Sequence, residues 1–95
     1  MPAYVIVDIE VRDTQAYDEY RKLVGATLTR YGGKFIVRGG NIDVLEGDWR
    51  PKRIVVLQFE TLARAREWYD SEEYRKPKEL RMKAATGNII AVEGV

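Results

Sequence analysis

The residues with the most chemical capacity are Asp8 and Arg38, each near the end of a strand-like segment, and Trp49 and Arg50 in a glycine-flanked stretch. An arginine offers a planar fork that matches a carboxylate or another planar anion, and an aspartate beside it acts as a base or orients the ligand. Trp49 adds a stacking surface, and Tyr17, early in a helix-like segment, adds a wall. Together they predict a pocket for a small planar anion, with Arg38 or Arg50 taking the charge and Asp8 as the catalytic residue. The same residues carry a structural alternative. Asp8 and Arg38 then form an ion pair buried at a dimer interface, and Trp49 packs there as an anchor.

What the chain lacks narrows the chemistry further. It contains no histidine and no cysteine, which removes the commonest general base near neutral pH, imidazole and thiolate metal ligands, and thiol nucleophiles. The reading therefore includes no metal and no cofactor. Sixteen basic residues stand against fifteen acidic ones, so no broad positive field is available for nucleic acid or an anionic membrane. Arg75, Lys76, Lys78, Arg81 and Lys83 form a basic run, but Glu72, Glu73 and Glu79 interleave with it, as on a solvated helix face. Gly32-Gly33 and Gly39-Gly40 read as turns and do not match a phosphate-binding loop. Neither a secretion signal nor a membrane-spanning run is visible, and a cytoplasmic location is expected.

The 95 residues fit one domain, and the elements that must position these side chains follow from periodicity. Tyr4 to Val11 alternates, with Val5, Val7, Ile9 and Val11 on one face and Tyr4, Ile6, Asp8 and Glu10 on the other. Asp13 or Thr14 caps a helix carrying Tyr17, Tyr20, Val24, Leu28 and Tyr31, with Gly25 marking a bend or a close contact. Lys34 to Arg38 reads as a strand, Ile42 to Glu46 as a short extra strand, and Gly47 to Pro51 as a loop. Ile54 to Phe59 is a strand, and Thr61 caps a helix over Leu62 to Tyr69. A further helical segment starts at Asp70-Ser71, kinks or restarts at Pro77, and closes at Thr86-Gly87. Asn88 to Glu93 is the last strand.

Strand, helix, strand, strand, helix, strand is the split βαβ order, an α+β ferredoxin-like fold with a four-stranded antiparallel sheet. With the helices on one face, Ile6, Ile36, Ile54, Val56 and Ile89 form an apolar patch on the other. A second copy of the sheet covers it, which predicts a homodimer. On that face Asp8 and Arg38 are expected at the same end, with Ile54 between them.

Several segments also resemble a known family: Ala-Tyr-Val-Ile-Val-Asp (3–8), Tyr-Gly-Gly-Lys-Phe (31–35), Val-Arg-Gly-Gly (37–40), Leu-Glu-Gly-Asp-Trp (45–49) and Trp-Tyr-Asp-Ser (68–71). The chain is similar over nearly its whole length to the family known as domain of unknown function 1330, in the dimeric α+β barrel superfamily. The resemblance implies a dimer whose sheets face each other across a small cavity, and it implies no established reaction. Relatives in the superfamily include cofactor-independent monooxygenases, lactone isomerases and haem enzymes, and a chain without histidine departs from the last. The expectation is a homodimer that binds a small organic acid or aromatic compound, with a cofactor-independent oxygenation or isomerisation as its chemistry. The alternative is a non-catalytic dimerisation module.

Overall fold

In a computed structural model that describes residues 1–95, the alternating first segment is strand β1 (Ala3–Val11), followed by helix α1 (Thr14–Arg30) and strand β2 (Lys34–Arg38). Strand β3 (Arg53–Phe59), helices α2 (Leu62–Tyr69) and α3 (Glu72–Ala84), and strand β4 (Ala85–Glu93) complete the chain. The strands make one sheet in the order β2-β3-β1-β4, antiparallel at every pairing. This is the predicted ferredoxin-like architecture.

Each helix begins on the side chain that its sequence offers. Asp13, Thr61 and Ser71 accept hydrogen bonds from the backbone N–H groups of Ala16, Arg64 and Tyr74 at 3.1, 3.0 and 3.1 Å. The three helices share one face of the sheet. Val5, Val7, Ile9, Val55, Leu57 and Phe59 point into a core closed by Tyr17, Tyr20, Val24, Leu28, Trp68 and Tyr74. The result is a two-layer slab only 17 Å thick, with its other sheet face uncovered.

Four sequence expectations are corrected here. Ile42 to Glu46 forms no strand: the stretch pairs with neither edge strand of the sheet, β2 or β4, and Leu45 is 90% exposed. Helix α3 runs through Pro77 without a restart; Pro77 is buried against the core side, and only the Glu73 carbonyl loses an intrahelical donor. Strand β4 begins at Ala85 rather than Asn88, so Thr86-Gly87 lies inside it. At Gly87 the backbone has φ +149°, and a Cβ would overlap the Asp8 carbonyl of β1, so this glycine serves close strand approach and not a turn.

The fourth correction concerns the open face. Ile89 pairs with Val7 and packs toward the helices, whereas Ile90 pairs with Ile6 and is 57% exposed on the open side. The uncovered face therefore carries Ile6, Ile54, Val56, Ile90 and Val92, with Val37 beside Val56 on β2. Gly25 meets nothing that a Cβ would touch, so no close packing contact accounts for it.

Candidate functional site

The predicted residues separate into two places, and a bulge causes the separation. Lys34 and Phe35 pair with Gln58 and Leu57, but Val37 and Arg38 pair with Val56 and Val55, which leaves Ile36 as the extra residue. One added residue reverses the faces that follow it. Arg38 thus lies on the helix side of the sheet, its guanidinium 4.1 Å from the centre of the Phe35 ring, and not on the face that carries Asp8. The expected Asp8–Arg38 pairing is corrected on this ground: the two project from opposite sides.

On the open face Asp8 meets Trp49. The indole Nε1 donates to Asp8 Oδ2 at 2.9 Å, pinning the long β2–β3 connection to the middle of the sheet. Arg50 folds back to donate to the Gly47 carbonyl at 2.7 Å. Asp8, Trp49 and Arg50 border an open cleft of about 270 Å³ with Glu10, Lys52 and Asn88. Both charge signs are present there, and Trp49 is 61% exposed. Trp49→Phe keeps the ring and removes the donor, so the connection should loosen by about 1 kcal/mol. Faster backbone hydrogen exchange over residues 39–52 checks this, and unchanged exchange would count against the latch.

On the helix face Tyr17 meets Arg53, and Arg38 lines the same pocket. Arg53 Nε donates to the Tyr17 hydroxyl at 3.2 Å, with the guanidinium 5.4 Å from the centre of the same ring. Gly39, at φ +70°, makes room for this arrangement, since a Cβ there would overlap the Arg53 guanidinium. Inward from this mouth the Tyr17 and Tyr20 rings lie 5.5 Å apart, and the Tyr20 and Tyr74 hydroxyls share a hydrogen bond of 2.8 Å. Arg81 Nε donates to the Tyr74 hydroxyl at 3.2 Å. Burial pushes both the Tyr20 and Tyr74 hydroxyls up, so they stay neutral at physiological pH. These residues line a pocket between sheet and helices with about 20 Å³ of free space; ten of its fourteen lining residues are hydrophobic, and none is acidic.

Sequence reasoning missed Arg53, Tyr74 and Arg81. It placed Arg81 on a solvated face with its basic neighbours, whereas the side chain is buried with only 7% of its surface exposed. The signal was present: Tyr74, Pro77, Arg81 and Ala84 recur at three- and four-residue steps and form the buried stripe of α3.

No helix is long and apolar enough to cross a membrane. Comparison with known proteins finds likeness of fold. A protein of unknown function from Rhodopseudomonas palustris superposes with a TM-score of 0.78 at 20% identity, over 99% of this chain and 82% of that one. A protein from Nitrosomonas europaea, proposed to be an antibiotic biosynthesis monooxygenase, gives 0.54 at 13% identity over 96% and 86%. An ethyl tert-butyl ether degradation family protein from Bacillus halodurans gives 0.56 at 16% identity over 100% and 99%. No curated protein matches. The match that reaches beyond fold is to a family profile over residues 2–95, and by it this chain belongs to the family described as a domain of unknown function (DUF1330).

Proposed function

We propose that this chain is a small-molecule-binding subunit of a symmetric dimer, its ligand entering between sheet and helices past Tyr17, Arg38 and Arg53. The observation that carries this reading is the composition of that pocket. Aromatic walls lead inward from a mouth of arginines, and no carboxylate lines any part of it. Such a lining suits a small organic acid or aromatic compound, and because the free space is only about 20 Å³ the side chains at the mouth have to swing apart to admit it. Asp8 stands on the opposite face, so it is not the base of this pocket. Its bond to Trp49 favours the structural role for that pair.

Surface area supports the dimer. The chain exposes 6474 Å², against about 5,600 Å² expected for a folded monomer of 11.0 kDa. The excess, roughly 900 Å², is close to the about 800 Å² that each partner gives to a standard interface. The uncovered row of Ile6, Ile54, Val56, Ile90 and Val92 is the surface suited to that contact.

Native mass spectrometry of gently purified protein tests both parts together. The expected species is a dimer of twice 11.0 kDa carrying a small adduct, with the adduct lost or reduced in Arg38→Ala. A dimer without adduct, together with no thermal shift from a panel of aromatic acids and their neutral analogues, would refute the binding site.

A further inference from the structure

Every residue from 40 to 50 is exposed, although Ile42, Val44 and Leu45 lie among them at 39%, 39% and 90%. The backbone of this arm is equally unattached. Gly39 N–H reaches the Ile54 carbonyl, and beyond it no residue up to Lys52 joins a backbone-to-backbone hydrogen bond. Trp49 pins the far end of the arm to Asp8, and Arg50 bonds only to carbonyls of the arm itself. An apolar segment that is held in place yet covered by nothing in its own chain marks a contact surface.

The sheet has one edge suited to receive it. β2 is short, carries Lys34 and Arg38, and is interrupted by the bulge at Ile36, which are common protections of an edge strand. β4 has none of these: it runs nine residues in unbroken register with β1, and Glu93 is its only charge. Its outer side is unpaired. Beside it lies an open groove of about 800 Å³, lined by Leu62, Ala63 and Arg66 of α2 and by Ile89, Ile90 and Ala91 of β4. Arg66 is the cation there, and its pair with Asp70 joins two exposed side chains, which holds it weakly.

The arm matches this groove as an added strand. Asp43 and Leu45 then fall on one face, and Ile42 and Val44 on the other. Toward α2, Asp43 meets the cation and Leu45 meets the apolar wall of Leu62 and Ala63. On the open side, Ile42 and Val44 extend the row that includes Ile90 and Val92.

The arm cannot reach this edge in its own chain. A strand outside β4 lies four strand spacings from β2, about 19 Å, whereas the four steps from Arg38 to Ile42 cover at most about 14 Å. A two-fold axis that runs along the strands, between two facing sheets, sets β2 of one copy opposite β4 of the other. The gap there is about 10 Å, which the same four steps can cross. We propose that residues 42–46 of each copy add to the outer edge of the partner's β4, so that two exchanged arms close the dimer. This rests on the dimer reading above and names the segments that complete it. The Trp49 bond to Asp8 fixes the base of the arm before association, which lowers the ordering cost of docking.

Sedimentation over a dilution series and amide hydrogen exchange, both on this chain, test the exchange of arms. Where the wild type is a dimer, alternate amides from Ile42 to Glu46 should exchange at least about tenfold more slowly than those of Gly47 and Asp48 beside them. Dilution to monomer should abolish the difference. Leu45→Asp should raise the dimer dissociation constant at least about tenfold, because it brings a carboxylate against an apolar wall. Leu23→Asp, the same change at an exposed position on α1, should leave that constant unchanged. Both are surface substitutions within the single chain, so circular dichroism should match wild type.

A wild-type dimer whose residues 42–46 exchange as fast as Gly47 and Asp48 would overturn the arm exchange and leave the dimer standing. Protection that persists in the diluted monomer would place the pairing within one chain and overturn it equally. A Leu45→Asp dimer no weaker than that of Leu23→Asp would remove the groove as the docking site. A wild type that is monomeric at every concentration would sink the dimer reading and this inference together.

Discussion

Replacing Ile6 with lysine should turn the proposed dimer into a monomer while leaving the fold of each chain intact. Ile6 pairs with Val56 on one side and Ile90 on the other, so its side chain occupies the middle of the uncovered face. Nothing from the helices touches that face, and the substitution therefore removes no core contact. In a two-fold interface the same patch meets itself, so each dimer would have to enclose two lysines near its axis, facing apolar side chains. Enclosing one unpaired ammonium costs several kcal/mol, and a penalty of about 3 kcal/mol already weakens association more than 100-fold. Sedimentation at micromolar concentration should give twice 11.0 kDa for the wild type and 11.0 kDa for the variant, with matching circular dichroism. A variant that still sediments as a dimer would move the interface off this face.

This prediction rests on the part of the structure that was most legible. The period-two pattern of β1 fixes which of its residues enter the core, and neither face holds a residue that contradicts it. The caps were legible for a related reason: Asp13, Thr61 and Ser71 are short polar side chains placed just before helical stretches, where unpaired N–H groups need them. Beyond β1 the signal weakens wherever local sequence fits two arrangements equally. Phe35-Ile36-Val37-Arg38 alternates poorly, and nothing within it says that β3 will skip Ile36. The bulge is set by pairing, and it alone decides on which side Arg38 emerges.

The same limit explains the division of the candidate site. Asp8 and Trp49 do meet, because β1 and the end of the β2–β3 connection are tied by strand order. Tyr17 does face a guanidinium, but that of Arg53 and not one on its predicted list. Gly87 reads as a turn because glycine ends helices often, and its role in letting β4 approach β1 appears only once the strands are side by side. Arg81 was hidden differently. Charge type outweighed helical position in the reading, although a residue seven places after a buried tyrosine lies on the same helix face.

That buried stripe stands on one side chain, and its removal should have the largest effect on stability. Trp68 is 1% exposed, and its ring lies 4.1 Å from Tyr74 and 5.5 Å from Phe59, centre to centre. Its Nε1 donates to Thr27 Oγ1 at 3.0 Å, and that hydroxyl donates in turn to the Val24 carbonyl at 2.7 Å, which links α2 to α1. Trp68→Ala deletes the ring and this link together, for a loss of about 3–5 kcal/mol. Small domains hold only about 5–15 kcal/mol in total, so the variant should melt on the order of 20 °C lower. Trp68→Phe retains most of the packing and loses the donor, and about 1–2 kcal/mol should go with it. Denaturant unfolding at one fixed protein concentration separates these values from any change in association. A loss below about 1 kcal/mol for the alanine variant would mean that the core closes over the space. Tyr74 and Arg81 would then not depend on Trp68 for their position, and the pocket would have to be held by the sheet and α1 alone.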